Sequence, residues 1–171
     1  MSTDLQKNTE DVGVDIHCHA IDFELNGQKL QATEGETIWQ AARRHGTHIP
    51  HLCHTEGLRP DGNCRACVVE VEGERTLAAS CCRAVTPGMK VQSTSERAQK
   101  SQRMVLELLL ADLPEQGYKW LDDKPTEPHG ELSQWATRTG VQVRPALAAL
   151  RRAQPAPDLS HPAMAVNLDA C

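Results

Sequence analysis

The sequence is poor in aromatic residues and has no excess of positive charge. Three Trp, one Tyr and one Phe make up 3% of its 171 positions, so a large aromatic core is not expected. Eighteen Lys and Arg stand against 23 Asp and Glu, which gives a net charge of −5. Proteins that bind duplex nucleic acid usually present a basic surface, so this composition argues against a nucleic-acid partner.

Long apolar runs are missing as well. No stretch approaches the roughly 18 apolar residues of a membrane-spanning helix, so we expect no membrane span. The polar, acidic stretch Met1–Asp15 lacks the apolar segment of a signal peptide, which favours a cytoplasmic location. The sequence also has no glycine-rich nucleotide loop, no nucleophile elbow and no convincing carboxylate pair, so no catalytic site can be assigned to it.

Cysteine, in contrast, is abundant. The chain has seven cysteines, an odd number that does not suit a closed set of disulfides, and disulfides are disfavoured in a reducing cytoplasm. A concentration of thiols there more often binds metal. Five of the seven fall between positions 53 and 82. The cysteines are Cys18, Cys53, Cys64, Cys67, Cys81, Cys82 and Cys171.

Residue patterns predict an α+β unit over residues 20–95. Asn26-Gly27, between two alternating segments, is the strongest short signal for a hairpin. Ser93 and Glu96 fit a capping box, which predicts a helix over 96–113. We predict strands at 21–25, 29–33, 67–72, 75–79 and 89–92, and a further helix at 37–45.

The two ends of the chain differ from this unit. We expect residues 1–19 to form a mobile N-terminal arm. Prolines are frequent after Pro114, so we predict a linker over residues 114–171, with short helices at 132–138 and 146–152.

Four cysteines have spacings that indicate a metal site. Cys53, Cys64, Cys67 and Cys81 are separated by ten, two and thirteen residues. Four thiolates select iron–sulfur clusters or zinc. Structural zinc sites usually combine two short-spaced pairs, whereas this group has one Cys-x2-Cys. The spacing therefore favours an iron–sulfur cluster, with a zinc-stabilised adaptor as the alternative.

The loop over residues 54–63 indicates that bound metal orders the chain. Its one candidate for burial is Leu58, which would return at most about 3 kcal/mol. Ordering the backbone costs roughly 1–2 kcal/mol for each residue. Gly57 and Gly62 permit positive φ, which lets backbone N–H groups approach cluster sulfurs.

Three segments, Ile49–His54, Gly62–Val71 and Ala78–Cys81, resemble a known family. They are similar to the N-terminal 2Fe-2S domain of the complex I large iron–sulfur subunit, of NAD-reducing hydrogenases and of the alpha subunit of NAD-dependent formate dehydrogenases. The resemblance covers about residues 20–112 and implies a β-grasp, ferredoxin-like fold. It implies that the cluster ligands are Cys53, Cys64, Cys67 and Cys81, with His54, Gly62, Asn63 and Arg65 around them.

The rest of the chain resembles the formate dehydrogenase branch most. Met104–Asp112 is similar to the helix that follows the domain in that family. Leu113–Gly117 stands where complex I and many relatives have a 4Fe-4S site of one His and three Cys, so that site is expected to be absent. His161–Cys171 resembles the approach to a double 4Fe-4S ferredoxin domain, with Cys171 as its first ligand. We therefore expect an N-terminal fragment of a longer subunit or a truncated product.

The resemblance implies electron transfer during formate oxidation coupled to NAD reduction. In the parent complex it implies 4Fe-4S clusters, a molybdenum cofactor and FMN, with other formate dehydrogenase subunits, including an FMN- and NAD-binding diaphorase subunit, as partners. A stand-alone 2Fe-2S ferredoxin and a subunit of hydrogenase or complex I type are the alternatives.

The remaining cysteines and histidines are expected to lie outside the ligand set. In a continuous strand Cys81 and Cys82 would face opposite sides, so Cys82 would be a spare thiol. Cys18, between two histidines in the arm, would bind metal adventitiously. We expect the series His45, His48, His51 and His54 to be solvated or near the cluster, with His54 best placed to tune its potential.

Overall fold

The computed structural model describes residues 19–113, 130–151, 156 and 158–166. Cys18, Cys171 and almost all of the predicted N-terminal arm lie outside the described residues. The elements are β1 (Ala20–Leu25), β2 (Gln28–Thr33), α1 (Ile38–Arg44), β3 (Val68–Val71), β4 (Ala78–Ala79), β5 (Lys90–Gln92), α2 (Glu96–Asp112), α3 (Gly130–Thr139), α4 (Pro145–Ala148), β6 (Asp158–His161) and β7 (Met164–Val166).

Five strands form a mixed sheet in the order β2-β1-β5-β3-β4. β1 pairs antiparallel with β2 and parallel with β5, and β3 pairs antiparallel with both β5 and β4. Side chains of α1 and the sheet share one buried core, which includes Phe23, Ile38, Val69 and Val91. This mixed α/β arrangement is consistent with a 2Fe-2S ferredoxin-like fold.

The turn between β1 and β2 confirms the hairpin prediction. Asn26 and Gly27 have φ values of 51° and 84°, the two left-handed positions that a tight hairpin turn requires. The Asn26 side chain also crosses to the segment after β5. Its Nδ2 donates to Ser93 Oγ at 2.8 Å, and its Oδ1 accepts from the Ser93 N–H at 2.8 Å.

The N-terminus of helix α1 is hydrogen-bonded to residues 80–83, the segment that contains Cys81. Thr37 and Gln40 form a reciprocal capping box at the start of the helix. The next two N–H groups, which lack partners within the helix, donate to carbonyls of that segment. Ile38 donates to Arg83 at 2.9 Å, and Trp39 donates to Ser80 at 3.0 Å.

Helix α2 has a different cap from the predicted one. The N-cap is Ser95, whose side chain accepts from the Ala98 N–H, because the predicted cap Ser93 is bonded to Asn26 instead. α2 packs on β3, and its residues Ala98 and Leu106 are buried. Gln102, also buried, donates from Nε2 to the Val68 carbonyl at 2.8 Å.

Strand β4 is shorter than predicted, covering 78–79 rather than 75–79. The Glu74 N–H donates to the Val71 carbonyl and closes a turn. The Arg75 carbonyl accepts from the Arg97 guanidinium of α2 at 2.6 Å, so it does not join the sheet.

After the gap at 114–129, helix α3 contains the predicted helix 132–138, whereas α4 is shorter than the predicted 146–152. Trp135 of α3 is buried with Ala66 and Leu106. β6 and β7 form a separate hairpin, which was not predicted and whose side chains are exposed. None of the described helices is long and apolar enough to cross a membrane.

Candidate metal centre

The four predicted ligands lie on two connected parts of the fold. Cys53 and Cys64 are half-buried and lie in the long loop between α1 and β3. Cys67, immediately before β3, and Cys81, in the turn after β4, are each 1% exposed. Pairing of β3 with β4 explains why Cys67 and Cys81 approach each other across fourteen positions, since Val68 lies opposite Ala79.

Cys67 and Cys81 form one close pair, with 3.4 Å between their sulfurs. Two sulfurs bound to one tetrahedral metal at about 2.3 Å would lie about 3.8 Å apart, so this pair fits a shared metal. Burial, then the neighbouring Cys67 sulfur, raises the pKa of the Cys81 thiol well above its usual range. Adjacent thiolates in such a site need a cation to compensate them.

Cys53 and Cys64 form the second pair, surrounded by backbone N–H groups. The Cys64 N–H donates to Cys53 Sγ at 3.5 Å. Burial would raise the pKa of Cys53, but N–H groups of Cys64, Asn63 and Gly62 outweigh it and lower the pKa. For Cys64, burial outweighs the donors, which include the Ala66 N–H, and raises the pKa.

The arrangement suits two metal atoms better than one. Over the described ranges, no three His, Cys, Asp or Glu side chains form a group that could hold a single metal ion. A structural zinc ion needs four ligands around one point. A 2Fe-2S cluster takes four cysteines shared between its two irons, which two thiol pairs match. The residues present therefore fit a 2Fe-2S cluster and fit zinc poorly.

The loop between Cys53 and Cys64 buries even less than its sequence suggested. Leu58 is 67% exposed, so the one apolar side chain of residues 54–63 contributes little to order. Gly57 and Gly62 have the predicted positive φ values, 83° and 68°, and a close neighbour is found at Gly62 and not at Gly57. Besides the buried His54 ring and an exposed ion pair from Glu56 to Arg43, bound metal would be the main source of order for this loop.

Asn63 and Arg65 contribute through their backbones. The Asn63 N–H donates to the Cys53 sulfur. Arg65 has a φ of 59°, uncommon for a residue with a side chain, and the next N–H, that of Ala66, donates to Cys64. Both side chains are exposed.

The histidine series does not form one stripe. His54 is 5% exposed, and within the described structure neither of its ring nitrogens has a hydrogen-bond partner. Its ring meets Trp39 edge-on at 4.8 Å, and His51 meets the same indole at 4.6 Å. His45 points elsewhere, with Nε2 at 2.9 Å from the Gln31 carbonyl. The series was expected to be solvated or near the cluster, and of these two alternatives the burial of His54 excludes the solvated one for that residue.

Cys82 lies closer to the site than predicted. The strand ends at Ala79, whose carbonyl accepts from the N–H groups of both Cys82 and Arg83 at 3.0 Å. In this turn the sulfurs of Cys81 and Cys82 are 3.6 Å apart. The prediction that the two cysteines face opposite sides was wrong, because it assumed a continuous strand.

Ser80 was missed in the sequence. It is fully buried, and its Oγ donates to the Cys67 carbonyl at 2.7 Å while its N–H donates to the same oxygen at 3.2 Å. It thereby joins the backbones that bear Cys67 and Cys81. The signal available was a polar residue between Ala79 and Cys81, at the end of a strand.

Comparison with known proteins agrees with this centre. Residues 19–96 match the family described as "2Fe-2S iron-sulfur cluster binding domain". This part of the chain is a 2Fe-2S electron-transfer domain. The G subunit of NADH-quinone oxidoreductase from Rickettsia bellii is 37% identical over 94 residues, which are 55% of this chain and 14% of that protein. The Streptomyces coelicolor counterpart is 42% identical over 92 residues, 53% of this chain and 11% of that protein.

A solved structure extends the likeness beyond the 2Fe-2S domain. The crystal structure of an NAD+-reducing [NiFe]-hydrogenase in its H2-reduced state has a chain that matches with a TM-score of 0.68 and 29% identity. The match covers 88% of this chain and 61% of that one. The chain thus corresponds to a small N-terminal part of its NADH-quinone oxidoreductase relatives and to less than two thirds of the hydrogenase chain.

Proposed function

We propose that Cys53, Cys64, Cys67 and Cys81 hold a 2Fe-2S cluster through which the chain passes single electrons. The observation that carries this proposal is the pairing of the four thiols, Cys67 with Cys81 and Cys53 with Cys64, within a 2Fe-2S domain. When bound, such a cluster supplies reversible one-electron chemistry.

The protein groups around the thiols would set the potential and the route. N–H groups of residues 62–64 and of Ala66 donate to Cys53 and Cys64 and stabilise negative charge on these sulfurs, which raises a reduction potential. Cys67 and Cys81 are enclosed by the core, whereas Cys53 and Cys64 are half-buried under an exposed loop. Electrons would therefore enter or leave most directly on the loop side.

Substitution of single cysteines tests the ligand set. Cys64→Ala should lose the visible absorbance and the low-temperature EPR signal of the reduced protein, because one of four ligands is removed. Cys82→Ala is the matched control and should keep both signals. Equal loss in the two variants would contradict the assignment, and a colourless wild-type protein that contains zinc would favour the adaptor alternative.

We propose that this chain is the N-terminal part of the alpha subunit of an NAD-dependent formate dehydrogenase. The support is the resemblance of Met104–Asp112 and His161–Cys171 to that family, and the absence of cysteine from 113–117. The parent would then carry 4Fe-4S clusters, a molybdenum cofactor and FMN, with a diaphorase subunit as partner. Hydrogenase and complex I relatives fit the 2Fe-2S domain equally well and are the second candidates.

The parent assembly can be tested by its electron donor. The complex that contains this chain would be purified from its native cells and mixed with NAD+ under formate or under hydrogen. Reduction of NAD+ driven by formate supports the proposal. Reduction driven by hydrogen, or activity confined to NADH and a quinone, would replace it with one of the second candidates.

A further inference from the structure

A fifth thiol lies beside the ligand set. The Cys82 sulfur is 3.6 Å from that of Cys81, nearly the same separation as the 3.4 Å between Cys81 and Cys67. Both distances are close to the roughly 3.8 Å expected for two sulfurs on one tetrahedral metal. Cys82 is exposed, whereas Cys67 and Cys81 are buried, so it lies on the outer side of this pair.

The backbone holds Cys82 in this place. The turn after β4 is closed by the Ala79 carbonyl, and the Arg83 carbonyl accepts from the Ile38 N–H at the start of α1. On its other side, the Cys82 sulfur lies 4.0 Å from the Pro60 carbonyl oxygen. A Cβ placed on Gly62 would come within 2.9 Å of that sulfur, so glycine leaves the space that Cys82 fills.

We infer that Cys82 is an alternative ligand for the iron otherwise bound by Cys67 and Cys81, an inference that rests on the proposed function. If the bond to Cys81 opened, the Cys81 thiolate would take up a proton from solvent, the Cys82 thiol would give one to solvent, and the Cys82 sulfur would hold the iron in place of Cys81. No electron is exchanged in this step. The Cys82 sulfur is already 3.6 Å from that of Cys81 in this turn, so the change required of Cys82 is a rotation of its side chain.

The test compares four alanine variants of the full 171-residue chain, one of them a control, after reconstitution with iron and sulfide. Alanine is used because serine oxygen could itself bind iron. Cys81→Ala should keep most of the iron and sulfide content with shifted visible and EPR spectra. Cys81→Ala/Cys82→Ala should lose the cluster, and Cys82→Ala alone should retain it. Cys64→Ala is the matched control and should lose the cluster, since its sulfur pairs with Cys53 and not with Cys82.

Several outcomes overturn the inference. Equal loss in Cys81→Ala and the double variant shows that Cys82 does not substitute. Retention in the double variant shows that another group does. Loss in Cys82→Ala alone makes Cys82 a primary ligand. A wild-type chain that takes up no cluster instead refutes the proposed function.

A second measurement decides the question if Cys81→Ala does not fold, as judged by far-UV circular dichroism. Wild type and Cys82→Ala, both loaded, are challenged with an iron chelator, and the decay of visible absorbance is followed. An alternative ligand retains iron when the Cys81 bond opens, so Cys82→Ala should lose its cluster faster. Equal decay rates would overturn the inference.

Discussion

At the residue scale, the site depends on small backbone details as much as on its thiols. Gly62 supplies an N–H to the Cys53 sulfur, adopts a φ of 68° and leaves room for Cys82. Gly57, in the same loop, has a φ of 83°, but no atom lies within 4 Å of the position that a Cβ would take there. Substitutions at the two glycines can therefore be compared to distinguish the effect of backbone strain, which both share, from the effect of steric contact, which arises at Gly62.

We predict that Gly62→Ala lowers the temperature at which visible absorbance is lost by more than Gly57→Ala does. Both alanines would cost about 1–2 kcal/mol for a left-handed conformation, but the first also displaces the Cys82 sulfur. In a Cys82→Ala background, Gly62→Ala should lower this temperature by about as much as Gly57→Ala does. If Gly62→Ala still lowers the temperature by more than Gly57→Ala does, and by the same additional amount as in wild type, this double-mutant cycle would contradict the contact between residues 62 and 82.

Sequence alone could single out the four cysteines that we propose as ligands, but not the position of Cys82. The spacing of the four cysteines indicates them as a group, because thiolates that share a metal site follow characteristic separations. The place of Cys82 is decided by the turn after Ala79, which the N–H groups of Cys82 and Arg83 close on the Ala79 carbonyl, whereas the prediction of opposite faces treated Cys81 and Cys82 as neighbours in a continuous strand. The burial of His54 against Trp39 depends on the same kind of long-range packing.

At the scale of elements, α2 packs against β3, the strand that follows Cys67. Its Gln102 side chain is buried and donates to the carbonyl of Val68, the residue after Cys67. Truncating it leaves a buried carbonyl without this donor, which costs roughly 1–3 kcal/mol.

We therefore predict that Gln102→Ala lowers the thermal midpoint of the loaded chain, with earlier loss of the visible signal. Arg103→Ala, at an exposed neighbouring position of the same helix, is the control and should have little effect. Similar midpoints for the two variants would mean that α2 does not stabilise the segment that bears Cys67.

The contact of α2 with α4 should depend on pH. Hydrogen bonds from the Arg144 side chain and backbone N–H, at 2.7 and 3.0 Å, lower the pKa of Glu107. Because the folded pKa is below the unfolded one, the contact stabilises α4 above the ordinary glutamate pKa of about 4.3 and is lost as pH falls through the lowered value.

We predict that the amides of Arg144 and of residues 147–149 exchange hydrogen faster as the pH is lowered through this range, after correction for intrinsic exchange rates. Glu107→Gln should show the faster exchange already at neutral pH and little further change in acid. Glu34→Gln, an exposed position with the same loss of charge, should behave as wild type. Pronounced acid sensitivity in Glu107→Gln would show that another group is responsible.

The elements themselves were largely predictable. The Asn26-Gly27 hairpin, α1, β3, β5 and the body of α2 follow from alternation, helical spacing and turn residues. The cap of α2 was misplaced, because Ser93 is engaged by Asn26 from 67 positions away. The β6–β7 hairpin was missed, because its strands are only four and three residues long and their apolar residues are exposed in the described structure.

At the scale of the whole molecule, a sheet and two helices frame two thiol pairs, and the apolar Leu58 of the loop between Cys53 and Cys64 is exposed. The most direct test is quantitative reconstitution of the 171-residue chain under anaerobic conditions, followed by iron, sulfide and zinc analysis and EPR after reduction. We expect iron and acid-labile sulfide in equal amounts, about two of each per chain, and one unpaired electron after one-electron reduction. Stoichiometric zinc without sulfide, or iron that gives no such signal, would contradict the account.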